Sequence, residues 1–338
     1  MKRLDHLIQS IKNMDEAPAM GQADLLLYAP CPVKLVVKEA IEAIAAGFTS
    51  PLVTHIPMGC TSVDPYDPLY METDPARLPA VIASIGFGDF WRREFTARFV
   101  STGLFEAILP DTINPLFTNA GMIDPAGAYT IYGVTPYIFL VDHQKLGDKP
   151  APRTWSDLLH PRYQGDLVMC GDGDDMADAV LLNLYKDFGP EGLIRLAVNT
   201  KSLMHSSRMA KVSGTNAPDA GAVFIIPLFF AESTKLPAHV EVIWPEDGAA
   251  ASPLYFLAKK SERDRLARLI DFFVHGFGGI DSATWFIPLD GSRLSPLPAH
   301  ARLKWVGWDF VATHDVNKLR DELAVQFRMF NPGVTCAS

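Results

Sequence analysis

Apolar residues recur along the chain in two alternating patterns: short continuous runs, and stripes spaced three and four apart. Leu25-Leu26-Leu27-Tyr28 is a short run that stops at Ala29-Pro30-Cys31-Pro32, and Val33, Val36, Val37, Ala40, Ile41 and Ile44 then share one helical face. The run reads as a buried strand. The stripe predicts a helix with Pro32 at its first position and a stop at Gly47. Leu52 to Ile56 and Ala80 to Ser84 repeat the strand signal, ending at Met58-Gly59-Cys60 and at Ile85-Gly86-Phe87-Gly88. Strands alternating with helices build parallel βαβ units, which bind ligands at the carboxyl ends of their strands. Upstream, Leu4, Leu7, Ile8 and Ile11 form a helical stripe, so residues 1–20 are expected to be a helical arm.

From Tyr129 to Val141 one long β-rich stretch leads out of this unit. A second α/β segment follows: a strand Gly165 to Cys170, a helix Asp175 to Phe188 closed by Gly189-Pro190, and a strand Ala222 to Ile226. Ser252 to Ala258 is a second extended crossing, and a helix with Leu266, Leu269, Ile270 and Phe273 comes after it. Two crossings around a central segment predict an α/β protein of two lobes joined by a two-strand hinge. Each lobe would be a mixed sheet flanked by helices. Residues 21–137 would begin the first lobe, 138–243 form the second, and 244–338 complete the first and add C-terminal helices.

Composition narrows the function classes. The 338 residues are 48% hydrophobic and 20% charged, enough apolar material for two cores of ordinary domain size. Thirty Lys and Arg against 39 Asp and Glu leave a net charge of −9, which argues against a nucleic-acid partner and the basic face it needs. No window reaches about 18 uninterrupted apolar residues, so membrane insertion is not expected. Asp5, His6, Gln9, Ser10 and Lys12 interrupt every apolar run after Met1-Lys2-Arg3. No secretory signal pattern results, and the sequence taken alone reads as that of a cytoplasmic monomer. The four cysteines, at 31, 60, 170 and 336, match neither a disulfide framework nor a zinc spacing.

Several segments resemble the extracellular solute-binding proteins of ABC importers, in the branch that contains ferric-ion binders. Pro152-Arg153-Thr154-Trp155-Ser156-Asp157-Leu158-Leu159-His160-Pro161-Arg162-Tyr163-Gln164-Gly165 is similar to that family's P-x-T-W-x-D-L-x-x-P-x-[YF]-x-G stretch. Pro245-Glu246-Asp247-Gly248 before the second crossing, the helix from Leu266 to Val274 and the corner Phe286-Ile287-Pro288 resemble further family segments. The resemblance spans about residues 21–300 and implies a type II periplasmic-binding-protein fold that closes on a ligand like a hinged clamp. It also implies a periplasmic workplace and an ABC permease as partner. The family's ferric binders place an adjacent tyrosine pair after a strand of the second lobe. Here the matching place is Pro227-Leu228-Phe229-Phe230, whose two phenyl rings carry no donor atom, so tyrosinate-held ferric iron is not expected.

If the topology holds, residues just after strands line the cleft. Cys31, Cys60 and Cys170 each follow a predicted strand; converging, they would suit a thiolate-bound metal or cluster, and apart they are small buried hydrophobes. Ser84, Gly86 and Phe87 follow the third strand, where a glycine lets backbone approach a ligand and a ring can pack on it, or where the chain simply turns. Ser206 or Ser207 is expected to cap a short helix, and with Arg208 could make an anion contact. Phe229 and Phe230 are an apolar wall for an organic ligand or part of the core. Asp172, Asp174, Asp175 and Asp178 complement a helix dipole.

No catalytic motif appears, and a non-catalytic solute-binding protein is the leading expectation. Two alternatives use the same fold: a thiol-dependent metal-binding or redox protein (with a cysteine-dependent enzyme as its catalytic form), and a cytoplasmic ligand sensor that docks a partner through its N-terminal arm.

Overall fold

The computed structural model describes residues 21–58, 64–171, 176–293 and 295–331. The expected N-terminal arm, Cys60, Asp172, Asp174, Asp175 and Cys336 lie outside the described residues.

The strands are β1 (Leu25–Leu27), β2 (Thr54–His55), β3 (Val81–Ile85), β4 (Phe105–Glu106), β5 (Tyr129–Asp142), β6 (Leu167–Cys170), β7 (Thr200–Met204), β8 (Val223–Pro227), β9 (Val240–Ile243), β10 (Ala249–Lys259), β11 (Ile287–Pro288) and β12 (Leu303–Lys304). They form one mixed sheet in the order β2-β1-β3-β10-β5-β8-β6-β7, with β9 and β11 on β5 and β4 and β12 on β10. On one side β1, β2 and β3 are mutually parallel, and on the other β6, β7 and β8 are. Among the described residues the sheet joins the two sets through β5 and β10, the two crossings expected from the apolar runs, which pair antiparallel. β5 is buried along almost its whole length. A strand covered on both faces has no need of polar alternation, which is why it reads as a continuous run.

Helices cover both faces. The first, α1 (Lys34–Ala46), starts after Val33, so Pro32 precedes the helix instead of opening it. Its buried stripe is Val37, Ile41 and Ala45, while Val36, counted on the expected face, points to solvent. This stripe packs with the helix Ala267–Asp271 and with Phe256 and Tyr132 of the crossings into one apolar cluster. Their neighbours Tyr255 and Ile131 face the opposite side, into a larger cluster that continues through the second half of the sheet.

The helix after β6, α2 (Asp178–Asn199), behaves differently from expectation. Gly189, with φ of 62°, breaks it where Gly189-Pro190 was expected to close it, but the chain resumes helical turns at once and runs to Asn199. Proline suits the first turn of the resumed segment because its missing N–H would have no partner there. A C-terminal helix, α3 (Val316–Phe330), packs along α2, and Asn331 at its end donates to the carbonyls of Ala197 and Thr200 at 3.0 and 2.9 Å.

The Trp155 segment ties the second half to the returning crossing. Trp155 is 1% exposed and sets its ring edge-on to Phe139 of β5 at 4.9 Å. Its indole N–H donates to the Gly248 carbonyl at 2.8 Å, one residue before β10 begins. Asp157 accepts the N–H groups of Arg153 and Thr154 at 2.9 and 2.8 Å. Burial alone would raise the pKa of this carboxyl, but those donors hold it below the ordinary range. Replacing Trp155 with Ala empties a fully packed site and unpairs a carbonyl. Urea denaturation should show a loss of about 3–5 kcal/mol, and a loss under about 1 kcal/mol would mean the residue is not an anchor.

Candidate functional site

The register of the two crossings places the site. β3 pairs antiparallel with β10, which pairs antiparallel with β5, so β3 and β5 run the same way. β8 and its parallel neighbour β6 run opposite to β5. The parallel strands of the two halves therefore run toward each other. Ile85 at the end of β3 is level with Leu254 and, through it, with Gly133; Pro227 at the end of β8 is level with Tyr137. Both sets of carboxyl ends thus meet along the short stretch of β5 from Gly133 to Tyr137. In open α/β sheets the ligand crevice lies at such ends.

On the first-half side the wall is the turn after β1 and the turn after β3. Tyr28 donates its N–H to Ala83 at 2.9 Å, and Cys31 lies exposed on the turn that follows. Burial pushes the Tyr28 phenol well above its ordinary range, reinforced by the carboxylates of Asp64, Asp67 and Asp89. Asp64 is 9% exposed; it accepts the Tyr66 N–H at 2.8 Å and pairs with His55 at 2.9 Å. Ser84 is buried and sits opposite Tyr255, whose phenol burial also pushes far up. Both tyrosines therefore stay protonated at neutral pH, Tyr255 within the apolar cluster behind this turn.

Gly86 and Phe87 take the most constrained place. Gly86 has φ of 61°, and its N–H donates to the Pro253 carbonyl at 2.8 Å. The Phe87 N–H donates to the Asp178 carboxylate at 2.7 Å, and the Phe87 carbonyl accepts from the Asn317 amide at 3.0 Å. Behind it the Phe87 ring stacks on Trp305 at 5.4 Å and approaches Trp91 at 5.6 Å, and Trp91 lies flat against Tyr129 at 4.2 Å. This aromatic bed makes the wall rigid.

The second-half wall brings Cys170 and Ser206 together: the Ser206 hydroxyl donates to Cys170 Sγ at 3.2 Å, with both residues buried. The short helix Ser206–Val212 is capped by His205, not by a serine, because the His205 Nδ1 accepts the Ser207 N–H at 3.1 Å. The Ser207 hydroxyl lies 2.8 Å from the same nitrogen. Arg208 is turned to Asp219 at 2.5 Å on an exposed surface, so its charge is already balanced. Phe229 and Phe230 meet edge to face at 5.4 Å, each half-buried; Phe229 reaches Phe286 of the other half at 5.7 Å and Phe230 reaches His205 at 6.2 Å.

Among the described residues no group of three or more His, Cys, Asp and Glu is arranged to hold a metal ion. Sequence reasoning had assigned Asp178 to the helix dipole and had not singled out Tyr28, Tyr255 or Asn317. The partner of Asp178 lies 91 positions away and that of Asn317 lies 230 away, and no local pattern signals either.

The fold and the opposed strand ends are those of a two-lobed binding protein of the periplasmic type II architecture. The chain belongs to the bacterial extracellular solute-binding protein family, whose model matches residues 76–314. No curated protein sequence matches it. Among solved structures it is similar to the apo ferric ion-binding protein A of Pasteurella haemolytica, with a TM-score of 0.62 and 12% identity over 93% of this chain and 99% of that one. It is also similar to the Trichodesmium protein solved with iron and citrate, with a TM-score of 0.62 and 10% identity over 91% and 98% of the two chains. The periplasmic binding protein AfuA of Actinobacillus pleuropneumoniae, solved with fructose-6-phosphate, gives a TM-score of 0.56 and 18% identity over 90% and 96%. At these identities the likeness is one of fold.

The two described cysteines, Cys31 and Cys170, differ sharply in access, and reactivity should follow. In the native protein iodoacetamide should label Cys31 well before Cys170, which is 1% exposed and should react only on unfolding. Peptide mapping that finds both labelled at the same rate would contradict this placement.

Proposed function

We propose that the protein captures a small solute between the two halves of its sheet and delivers it to an ABC-type permease outside the cytoplasm. The observation that carries this reading is the opposition of strand ends: β3 from one side and β6 and β8 from the other direct their following turns at one crevice. Membership of a family of extracellular solute-binding proteins supports it. In this reading the described residues within 21–137 and 244–338 make one lobe and those within 138–243 the other, bending at β5 and β10. The ligand is held by the Ser84, Gly86 and Phe87 turn on one side and by Ser206, Ser207 and the Phe229-Phe230 pair on the other. Among the described residues no helix is long and apolar enough to cross a membrane, which leaves membrane passage to the permease.

The cargo is an organic molecule, not iron held by tyrosinates. Several of the structurally similar proteins are named for ferric iron, but Phe229 and Phe230 present rings without oxygen at the end of β8. Half-buried phenyl faces suit an apolar or planar ligand surface, with backbone and serine groups fixing its polar edge.

Native mass spectrometry with elemental analysis of freshly purified protein tests this. A bound organic mass is expected, and ferric citrate should raise no visible tyrosinate-to-iron band. A stoichiometric iron content with such a band would overturn the assignment of the cargo. An enzymatic turnover of the bound mass would overturn the assignment as a binding protein.

A further inference from the structure

Phe87 stands apart from every other residue of the candidate wall because both of its backbone polar groups are held by helices from elsewhere in the chain. Its N–H goes to Asp178, the first residue of α2, which connects β6 to β7 in the second half of the sheet. Its carbonyl goes to Asn317, at the start of α3. The far end of α3 is tied in turn to α2 and β7, where Asn331 donates to Ala197 and Thr200. Lys186 of α2 donates to the Trp305 carbonyl at 3.4 Å, and Lys304 pairs with Asp187 of α2 at 2.6 Å. Away from β5 and β10, these contacts fasten the second half to the turn after β3.

The Asp178 contact joins the start of α2 directly to the turn after β3. A carboxylate accepting a backbone N–H is a charge-assisted bond, stronger than a neutral one. It is also sterically specific. A Cβ on Gly86 would stand 2.5 Å from Asp178 Oδ2, closer than real Cβ atoms approach, so a side chain there would push the carboxylate aside. Gly86 additionally holds φ of 61°, which side-chain-bearing residues rarely adopt. The same carboxylate accepts the N–H of Ala179 at 2.6 Å through Oδ1, which fixes its direction at the helix start.

We propose that Asp178 is the latch that positions the closed clamp: it docks on the Phe87 N–H when the two halves come together, and it leaves that N–H when they part. The proposal rests on the solute-binding reading and names the residue through which closure acts. Gly86 is the other half of the latch, since its missing side chain is what admits the carboxylate. Asn317 of the C-terminal helix, which itself packs along α2, holds the carbonyl of the same Phe87 residue. Closing motions of this kind need a bistable contact between otherwise rigid bodies, and a single charge-assisted bond between distant segments is such a contact.

Hydrogen–deuterium exchange of the full-length protein tests the proposal at the atom concerned. In wild type the Phe87 amide should be protected. In Asp178→Ala it should exchange about tenfold faster or more, through local opening, while the amides of β5 and β10 keep their protection. Asp178→Asn retains an acceptor oxygen and should restore most of the protection, which a purely structural loss of packing would not allow. Gly86→Ala should mimic Asp178→Ala, because its Cβ displaces the carboxylate. Unchanged Phe87 exchange in Asp178→Ala would overturn the latch, as would Asp178→Asn exchanging as fast as Asp178→Ala. Native mass spectrometry on the same samples judges the underlying reading separately. A bound solute that survives with Phe87 exchange unchanged leaves solute binding standing and removes only the latch, whereas wild type that binds no solute removes the reading on which it rests.

Discussion

The pairing of β5 with β10 is the constraint on which the rest of the molecule depends. Among the described residues these two strands alone are shared by the halves of the sheet, and each changes neighbours along its length: β5 pairs with β10 and β11 first, then with β8 and β9. The pair is weakest where the change occurs. Pro136 lies opposite Ala251 and Pro253 opposite Val134, and neither proline can donate to the ladder. The register then slips between Leu254 and Tyr255. A ladder stripped of donors and bulged at one level bends there more readily than elsewhere. That level is also where β3 and β8 end, so the weakened part of the ladder lies beside the facing strand ends.

What surrounds the pair divides into parts that hold each half rigid and parts that couple the halves. Trp155 belongs to the first kind, locking the segment after the first crossing to Gly248 and to Phe139. The bed of Phe87, Trp91, Tyr129, Trp305 and Trp308 likewise stiffens the wall behind the crevice. The Phe229 and Phe286 contact and the Asp178 and Phe87 bond are of the second kind, since each joins a residue following a second-half strand to a residue of the other half. Rigid walls with specific links between them are what a clamp requires. A ligand then shifts the balance only by its differential contact with the closed form.

Most of this architecture was legible in the chain because buried strands leave a strong trace. The run from Tyr129 to Val141 differs from the observed β5 only at its end, and the stretch before Lys259 marked β10. The Trp155 segment pointed to the family before any fold was seen. Elements whose stability comes from partners left weaker traces. β7 and β9 carry Lys201, Ser202 and Glu241 and lack a continuous apolar run, so tertiary pairing decides them. Val36 sat on the apolar stripe of α1 yet faces solvent, because the buried face is narrower than the stripe. His205 displaced the expected serine cap since its imidazole nitrogen accepts the same N–H a hydroxyl would. The candidate crevice was expected at turns after strands, whereas the contacts of Asp178 and Asn317 with the Phe87 turn come from remote helices, and nothing in one sequence links positions so far apart.

The central claim is that the two halves move about the β5 and β10 crossing when a solute enters between them. Small-angle X-ray scattering gives the most direct test, comparing protein as purified with protein freed of small molecules by partial unfolding and dialysis. The account predicts a smaller radius of gyration in the loaded sample and a return to that value when the extracted small molecules are added back. Identical scattering curves from loaded and emptied protein would contradict it.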